Sequence, residues 1–596
     1  MITSLFSVFL ALLALGFIIF IHELGHFWMA RRCGMRVEAF GIGFGKPIFT
    51  FLRNGVRWNI GWLPFGGYVK IAGMEKENGV DPKDIPDGFF GSSPVSRVLV
   101  ALAGPLANVL LAFVLFVAVY AMGGRIKSFS EVTNRIGWVD PQSELYNQGV
   151  RPGDIIVSYD NRPVRVASDH MQAPMTAKDR LLVEGLKRSE KGYTPFKLPI
   201  TPYLFPKGSD SALRVSGVLA PANFLIWTPE LVGASSVSPT GIQPKDRIVW
   251  VNGERIYSSY QLSTLLNDSS VLVTVHRSVQ GANQLLQLRV PRVAVSECKL
   301  DFPVRNEISD WQYAAGLKAV KSSQLFILPY NLTGQGVVEN ALELFDDIRL
   351  EQKLLPGDAI IAVQGMPVTN SVEILKEMQK HEAVVIVEKM SFLNPVSIKE
   401  ATQAFDDDEN LTAFTAALRD VGSGKAAVSG PYRLLKPVPL TSMDAQDGKK
   451  FFILGLQGVS DLPVLYNPGP LESMEGAVRD MARTLSALVS GYLSPKWLSG
   501  PIGMVQIIQK QTSSSLPDSC YWVGLISLYL ALSNLLPLPV LDGGYILLAL
   551  FEIVTGKRFS AKVLEKLVMI FTIALVLLIL FVTYHDIVRV LSGMFG

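Results

Sequence analysis

Residues 17–30 read FIIFIHELGHFWMA. His22, Glu23 and His26 stand at the end of an apolar run that begins near residue 5. Whether that run stays in the mature chain decides the fold, because about 20 apolar residues in a helix cross a bilayer. Its position suits a signal peptide, but no basic residue precedes it and its apolar stretch is long. No small-residue cleavage site follows; Arg31 and Arg32 come next instead. The run reads as a retained membrane helix over 5–29. Three further runs have the length to span, at 98–122, at 521–541 with a continuation towards 553, and at 567–583. The composition agrees: of 596 residues, 49% are hydrophobic and only 18% charged, where a soluble chain carries about a quarter charged. A net charge of +3 gives no reason to expect nucleic acid as a partner. The expected fold class is a polytopic α-helical membrane protein of about four transmembrane helices, with a large segment of small α/β modules outside the bilayer.

Basic residues set the expected orientation. No Lys or Arg precedes the first run, whereas the loop to the second carries ten, from Arg31 and Arg32 through Lys70, Lys76 and Lys83 to Arg97. The loop between the last two runs holds Lys557, Arg558, Lys562 and Lys566. Cytoplasmic loops are enriched in such residues, so residues 124–480 and both termini are expected on the opposite side, the periplasm or exterior of a bacterium. Cys33, Cys298 and Cys520 show no CxxC spacing. Each reads as a lone thiol, with a Cys298–Cys520 pair left open.

The soluble segment repeats itself. GVRPGDIIVSYDNRPV (149–164), GIQPKDRIVWVNGERI (241–256) and KLLPGDAIIAVQGMPV (353–368) align without gaps. Each places a proline turn before Asp154, Asp246 or Asp358, then a β-branched strand and a second turn. After the second and third copies come an amphipathic helix (258–268, 371–380) and a strand (271–276, 383–389). This order resembles the PDZ domain, which implies peptide termini as partners, added to a sheet edge; spacers or size filters are the alternative. Domains are expected at 1–123 (membrane), 124–230 (first module and extension), 231–300 (second, degenerate module), 301–400 (third module), 401–480 (connector) and 481–596 (membrane).

On a helix His22 and His26 lie one turn apart on one face. Two imidazoles so placed can share a zinc ion, with Glu23 beside it as candidate general base. Two satisfied histidines at a membrane interface are the alternative. Ionisable groups at membrane depth are usually functional, and the chain has only six histidines. Zinc hydrolases use three protein ligands and leave one position open. The candidate for the third is Asp542 in SNLLPLPVLDGGYILL (533–548), the only acidic residue between Asp518 and Glu552. Pro537 and Pro539 interrupt the helix before it, and Gly543 and Gly544 follow. Counting 1.5 Å per residue along inward-running helices places both halves at the same cytoplasmic depth.

HExxH in a first membrane helix, NxxPxPxLDGG at 534–544 and the intervening modules resemble the site-2 protease family of intramembrane zinc metalloproteases, most of all the bacterial regulator-of-sigma-E type. GFGKP (43–47), PFGGYVKIAGM (64–74), AGPLANVLLA (103–112) and LSGPIG (498–503) carry the likeness across the whole chain. The resemblance implies zinc ligands His22, His26 and Asp542 with Glu23 as catalytic base. It implies support of the active site or substrate by Asn534, Pro537, Pro539, Gly543, Gly66 and Gly67. Residues 37–71 would form a membrane-dipping β-hairpin region that presents an unwound substrate strand. The implied activity is cleavage of single-pass membrane proteins within the bilayer, anti-sigma factors or remnant signal peptides, after a prior extracytoplasmic cut. The implied place is the bacterial inner membrane. A third repeat and Tyr545, where relatives carry histidine after LDGG, depart from that type. A catalytically silent scaffold and a metal transporter are the competing classes; a complete ligand set disfavours the first and a single metal site the second.

Overall fold

An apolar run without an internal proline forms α1 (Ile2–Arg32), which closes on Arg31 and Arg32, cations that suit the negative end of the helix dipole. The computed structural model describes residues 2–595 except 75–79, 178, 190–191, 209–211, 239, 280–281, 345–353, 392–393, 407–410, 445–449, 513–514 and 558–560. Lys76 and Arg558 of the basic loops, and Lys353 at the head of the third repeat, lie outside the described residues. The chain forms two compact units, residues 1–125 with 466–596, and residues 126–465.

In the first unit α1 leads to two long strands, β1 (Val37–Arg53) and β2 (Val56–Ile71). They meet at Asn54-Gly55, both with positive φ (50° and 77°), the backbone that a two-residue hairpin turn requires. The register is double: Gly41 lies opposite both Tyr68 and Asn59, and Asn59 lies opposite Thr50. Four segments, 66–71, 37–42, 56–61 and 47–53, therefore run side by side. The Tyr68 ring crosses Gly41, where a Cβ would come within 2.2 Å of it. Its hydroxyl accepts from Asn59 Nδ2 at 2.8 Å.

Ser93 opens α2 (Pro94–Ala121), its hydroxyl accepting the Ser96 N–H at 3.1 Å with proline at the first helical position. The C-terminal part of the unit holds α3 (Pro470–Val489), α4 (Pro501–Thr512), α5 (Leu516–Asn534), α6 (Asp542–Thr555) and α7 (Ala561–Phe595). Among the described residues three helical stretches are long and apolar enough to cross a membrane: Val8–Arg32, Pro94–Ala121 and Glu565–Leu591. The run expected at 521–541 differs from a single span. It is two helices, α5 and α6, separated by residues 535–541. Pro537 and Pro539 supply no N–H and push the preceding residues out of helical backbone. α2 packs against α1, α5 and α6. Gly25 makes the first of these approaches close, since a Cβ there would stand 2.3 Å from the Ala103 carbonyl oxygen.

In the second unit each repeat aspartate does the same local job. Asp154, Asp246 and Asp358 accept the backbone N–H of Arg151, Gln243 and Leu355, three residues earlier, at 2.9, 2.6 and 2.8 Å. A strand follows each. The first, Ile155–Tyr159, pairs with Leu181–Ser189, the strand after its own helix Ser168–Thr176. The second and third exchange partners: Asp246–Val251 pairs with Val385–Lys389, and Ala359–Val363 pairs with Ser270–Val279. One core accordingly joins Ile248 and Leu265 to Val385 and Val387, and another joins Val273 and Val275 to Ile360 and Ile374. These cores do not divide at residue 300. The second core draws on Val271, Val290, Leu328, Ile360 and Met378, and a local strand pattern carries no information about which strand it pairs with. Cys33, Cys298 and Cys520 are free thiols.

Candidate metal centre

α1 places His22 and His26 on one face, with ring centroids 4.7 Å apart. α6 brings Asp542 to them from its first residue. His22 Nε2 lies 3.2 Å from Asp542 Oδ2, His26 Nε2 lies 3.4 Å from the same oxygen, and the two Nε2 atoms are 3.1 Å apart. An ion bound tetrahedrally at about 2.0–2.2 Å holds its ligand atoms about 3.3–3.6 Å apart. The three donors thus form one face of such a tetrahedron to within a few tenths of an ångström. Asp542 Oδ2 is buried without a hydrogen-bond donor, a costly state for a carboxylate oxygen unless a cation meets it. Two imidazoles and one carboxylate suit zinc and leave a fourth position open.

The donors are held from behind. His26 Nδ1 donates to the Val100 carbonyl at 2.8 Å, which leaves the Nε2 lone pair facing Asp542 and His22. Its ring occupies the space over Gly104, where a Cβ would meet Nε2 at 2.2 Å. The tight path from α5 to α6 depends on two glycines, because a Cβ on Gly543 would stand 2.3 Å from Leu536 O and one on Gly544 would stand 2.3 Å from Leu538 O. An ion pair between Arg97 Nη2 and Glu552 Oε2, 2.5 Å apart and almost fully buried, ties the start of α2 to the end of α6.

Glu23 points into a cavity of about 420 Å³ shared with His22, His26, Asp542, Asn534 and Tyr68. The Val69 backbone hydrogen-bonds its carboxylate, and Gly67 packs on its stem, where a Cβ would lie 3.0 Å from Glu23 Cγ. The Asn534 carboxamide is 3.2 Å from His22 Nε2. Of the residues singled out in the sequence, His22, Glu23, His26, Asp542, Asn534 and Gly67 therefore converge. Pro537, Pro539 and Gly543 shape the helix break without lining the cavity, and Gly66, with φ of 88°, precedes the lining strand residues. Tyr545 lines the cavity and sets its ring 5.6 Å from that of Phe89; it is not one of the three converging donors. Gly104 and Asn108 were visible only as members of AGPLANVLLA, and neither their spacing nor their type disclosed a contact with histidine.

The sequence profile of peptidase family M50 matches residues 10–579. A Chlamydia pneumoniae protein provisionally named a zinc metalloprotease is 37% identical over 632 aligned residues, covering 97% of this chain and 98% of its own. A Chlamydia trachomatis protein of the same provisional name is 37% identical, covering 98% of this chain and 99% of its own. Protease RseP of Yersinia pestis is 31% identical over 271 residues, 43% of this chain and 56% of its own length.

Proposed function

The chain belongs to peptidase family M50, the site-2 protease family, and from that premise we propose that it is a zinc-dependent endopeptidase that cleaves single-pass membrane proteins inside the bilayer. The observation that carries the reading is the triangle of His22, His26 and Asp542 beside Glu23. The names of its chlamydial relatives support zinc as the metal. A zinc ion there supplies a Lewis acid that polarises the scissile carbonyl and acidifies the attacking water.

The chain's own residues do the rest. Glu23 takes the proton from that water on a carboxylate oxygen and returns it to the leaving nitrogen. Asn534, next to His22, steadies the substrate backbone or the developing oxyanion. A substrate helix hides its amides, so it must unwind before attack. The 66–71 segment of β2 is an edge of its sheet, and Gly67, Tyr68 and Val69 line the cavity. An unwound substrate strand added there would lie along the catalytic groups. Ile48, Leu52 and Trp62 of the same sheet are exposed apolar side chains, which suits contact with lipid.

In this reading α5 and α6 together make the fourth crossing, and the positive loops lie in the cytoplasm of a bacterium. The repeat modules, PDZ-like in element order, lie outside the inner membrane with both termini. They act as a filter that admits substrates already cut outside the membrane, anti-sigma factor-like proteins or remnant signal peptides among them. The test is Glu23→Gln in the full chain. It should keep zinc while cleavage of a single-pass reporter falls by about 10²–10⁴-fold. Wild-type cleavage by that variant would end the proposal, whereas no zinc and no cleavage in the unaltered chain would leave the scaffold reading in its place.

A further inference from the structure

Asn108 is fully buried on α2, and its carboxamide is the polar neighbour of His22 Nδ1, 3.5 Å away. The Nδ2 atom faces the ring, and Oδ1 has no hydrogen-bond partner. A half turn of the carboxamide exchanges the two atoms. Oδ1 then faces His22 Nδ1, gains a donor, and fixes the imidazole as the tautomer with its proton on Nδ1. That tautomer is the one a ligating Nε2 needs, because the ring nitrogen turned to a cation must carry the lone pair. His26 already shows the arrangement, with Nδ1–H donating to Val100 O at 2.8 Å. The backbone at Asn108 is held too: its carbonyl accepts from Ser527 Oγ at 3.0 Å, on a serine that is itself fully buried in α5.

We propose that Asn108 is a positioning residue for the metal centre: its carboxamide oxygen accepts the His22 Nδ1 proton and so presents Nε2 to the cation. This rests on the reading of His22, His26 and Asp542 as ligands. It assigns a role to Asn108 of the AGPLANVLLA motif, whose Gly104 already makes room for the His26 ring.

The experiment measures zinc affinity of the full-length protein in detergent by competition with a chelator, alongside reporter cleavage. Asn108→Leu keeps the volume and removes the acceptor; affinity should fall about 10–100-fold. Asn108→Asp keeps an acceptor oxygen and should stay within about threefold of wild type, a rescue that a packing role does not predict. Wild-type affinity in Asn108→Leu, or equal losses in the two variants, would overturn the assignment. His22→Ala and Asp542→Ala separate the two claims: zinc retained by both sinks the ligand reading, whereas zinc lost by both with Asn108→Leu unaffected sinks only the role of Asn108. Should Asn108→Leu fail to fold, nitrogen-15 histidine spectra of the zinc-free wild type decide. His22 protonated on Nδ1 supports the assignment, and His22 protonated on Nε2 overturns it.

Discussion

Gly104 and His26 show how much of this centre depends on single atoms. The ring nitrogen that faces Asp542 also fills the place of a side chain on α2, 2.2 Å from where a Cβ would be. Gly104→Ala should push the ring off its position and lower zinc affinity tenfold or more, measured by chelator competition, while the helices persist because alanine favours helix over glycine. Unchanged affinity would show that the ring has room to move. The His22, Glu23 and His26 triplet was legible in the sequence because helical period alone puts the two imidazoles together. Asp542 was legible because a lone acid between prolines and glycines in an apolar run has few structural uses. Asn108 was not legible: an asparagine in a membrane helix is one residue in a polar minority, and only the orphaned Oδ1 shows what it lacks.

Among the elements, the aspartate turns are the most repeated device, and their second partners differ. Asp358 is 1% exposed and receives two bonds from Arg277, Nε to Oδ1 at 2.8 Å and Nη2 to Oδ2 at 2.7 Å. Removing one partner of a buried pair costs about 3–5 kcal/mol, so Arg277→Ala should destabilise the third module by roughly that amount in denaturant unfolding. A loss below 1 kcal/mol would mean that the Leu355 N–H alone suffices. His170, in the helix Ser168–Thr176, is held neutral, its pKa pulled by burial from 6.5 to about 4. The unfolded chain takes up the proton near pH 6.5 and the folded chain near 4. Stability is therefore full above about 6.5 and declines as pH falls towards 4, by at most about 1.4 kcal/mol per unit. Hydrogen-exchange protection over 168–176, corrected for the intrinsic rate at each pH, should fall between pH 7 and 5 in the wild type and less so in His170→Gln. Equal pH dependence in the two would rule the histidine out. The turns and strand periods were readable from Pro, Gly and β-branched residues, but pairing was not. The doubled register of β1 and β2 and the exchanged strands 246–251 and 270–279 arise from contacts far apart in sequence, which local periodicity cannot encode.

On the scale of the molecule, the chlamydial relatives extend over 97–98% of the chain, so the soluble segment belongs to their shared design along with the membrane helices. The exchanged strands make the second and third repeats one folding body. A fragment of residues 231–300 lacks the strand Val385–Lys389 that completes its core; it should show no cooperative unfolding, whereas residues 126–465 should. A cooperative transition in the short fragment would refute the exchange. The central claim remains that two histidines of the first helix and one aspartate of a late helix hold a zinc ion. Zinc K-edge absorption of the full-length protein tests it most directly. The account predicts one zinc per chain with two imidazole nitrogens at about 2.0–2.1 Å, oxygen ligands beside them, and loss of the metal in Asp542→Ala. Sulfur scattering at about 2.3 Å, or full zinc occupancy in Asp542→Ala, would contradict it.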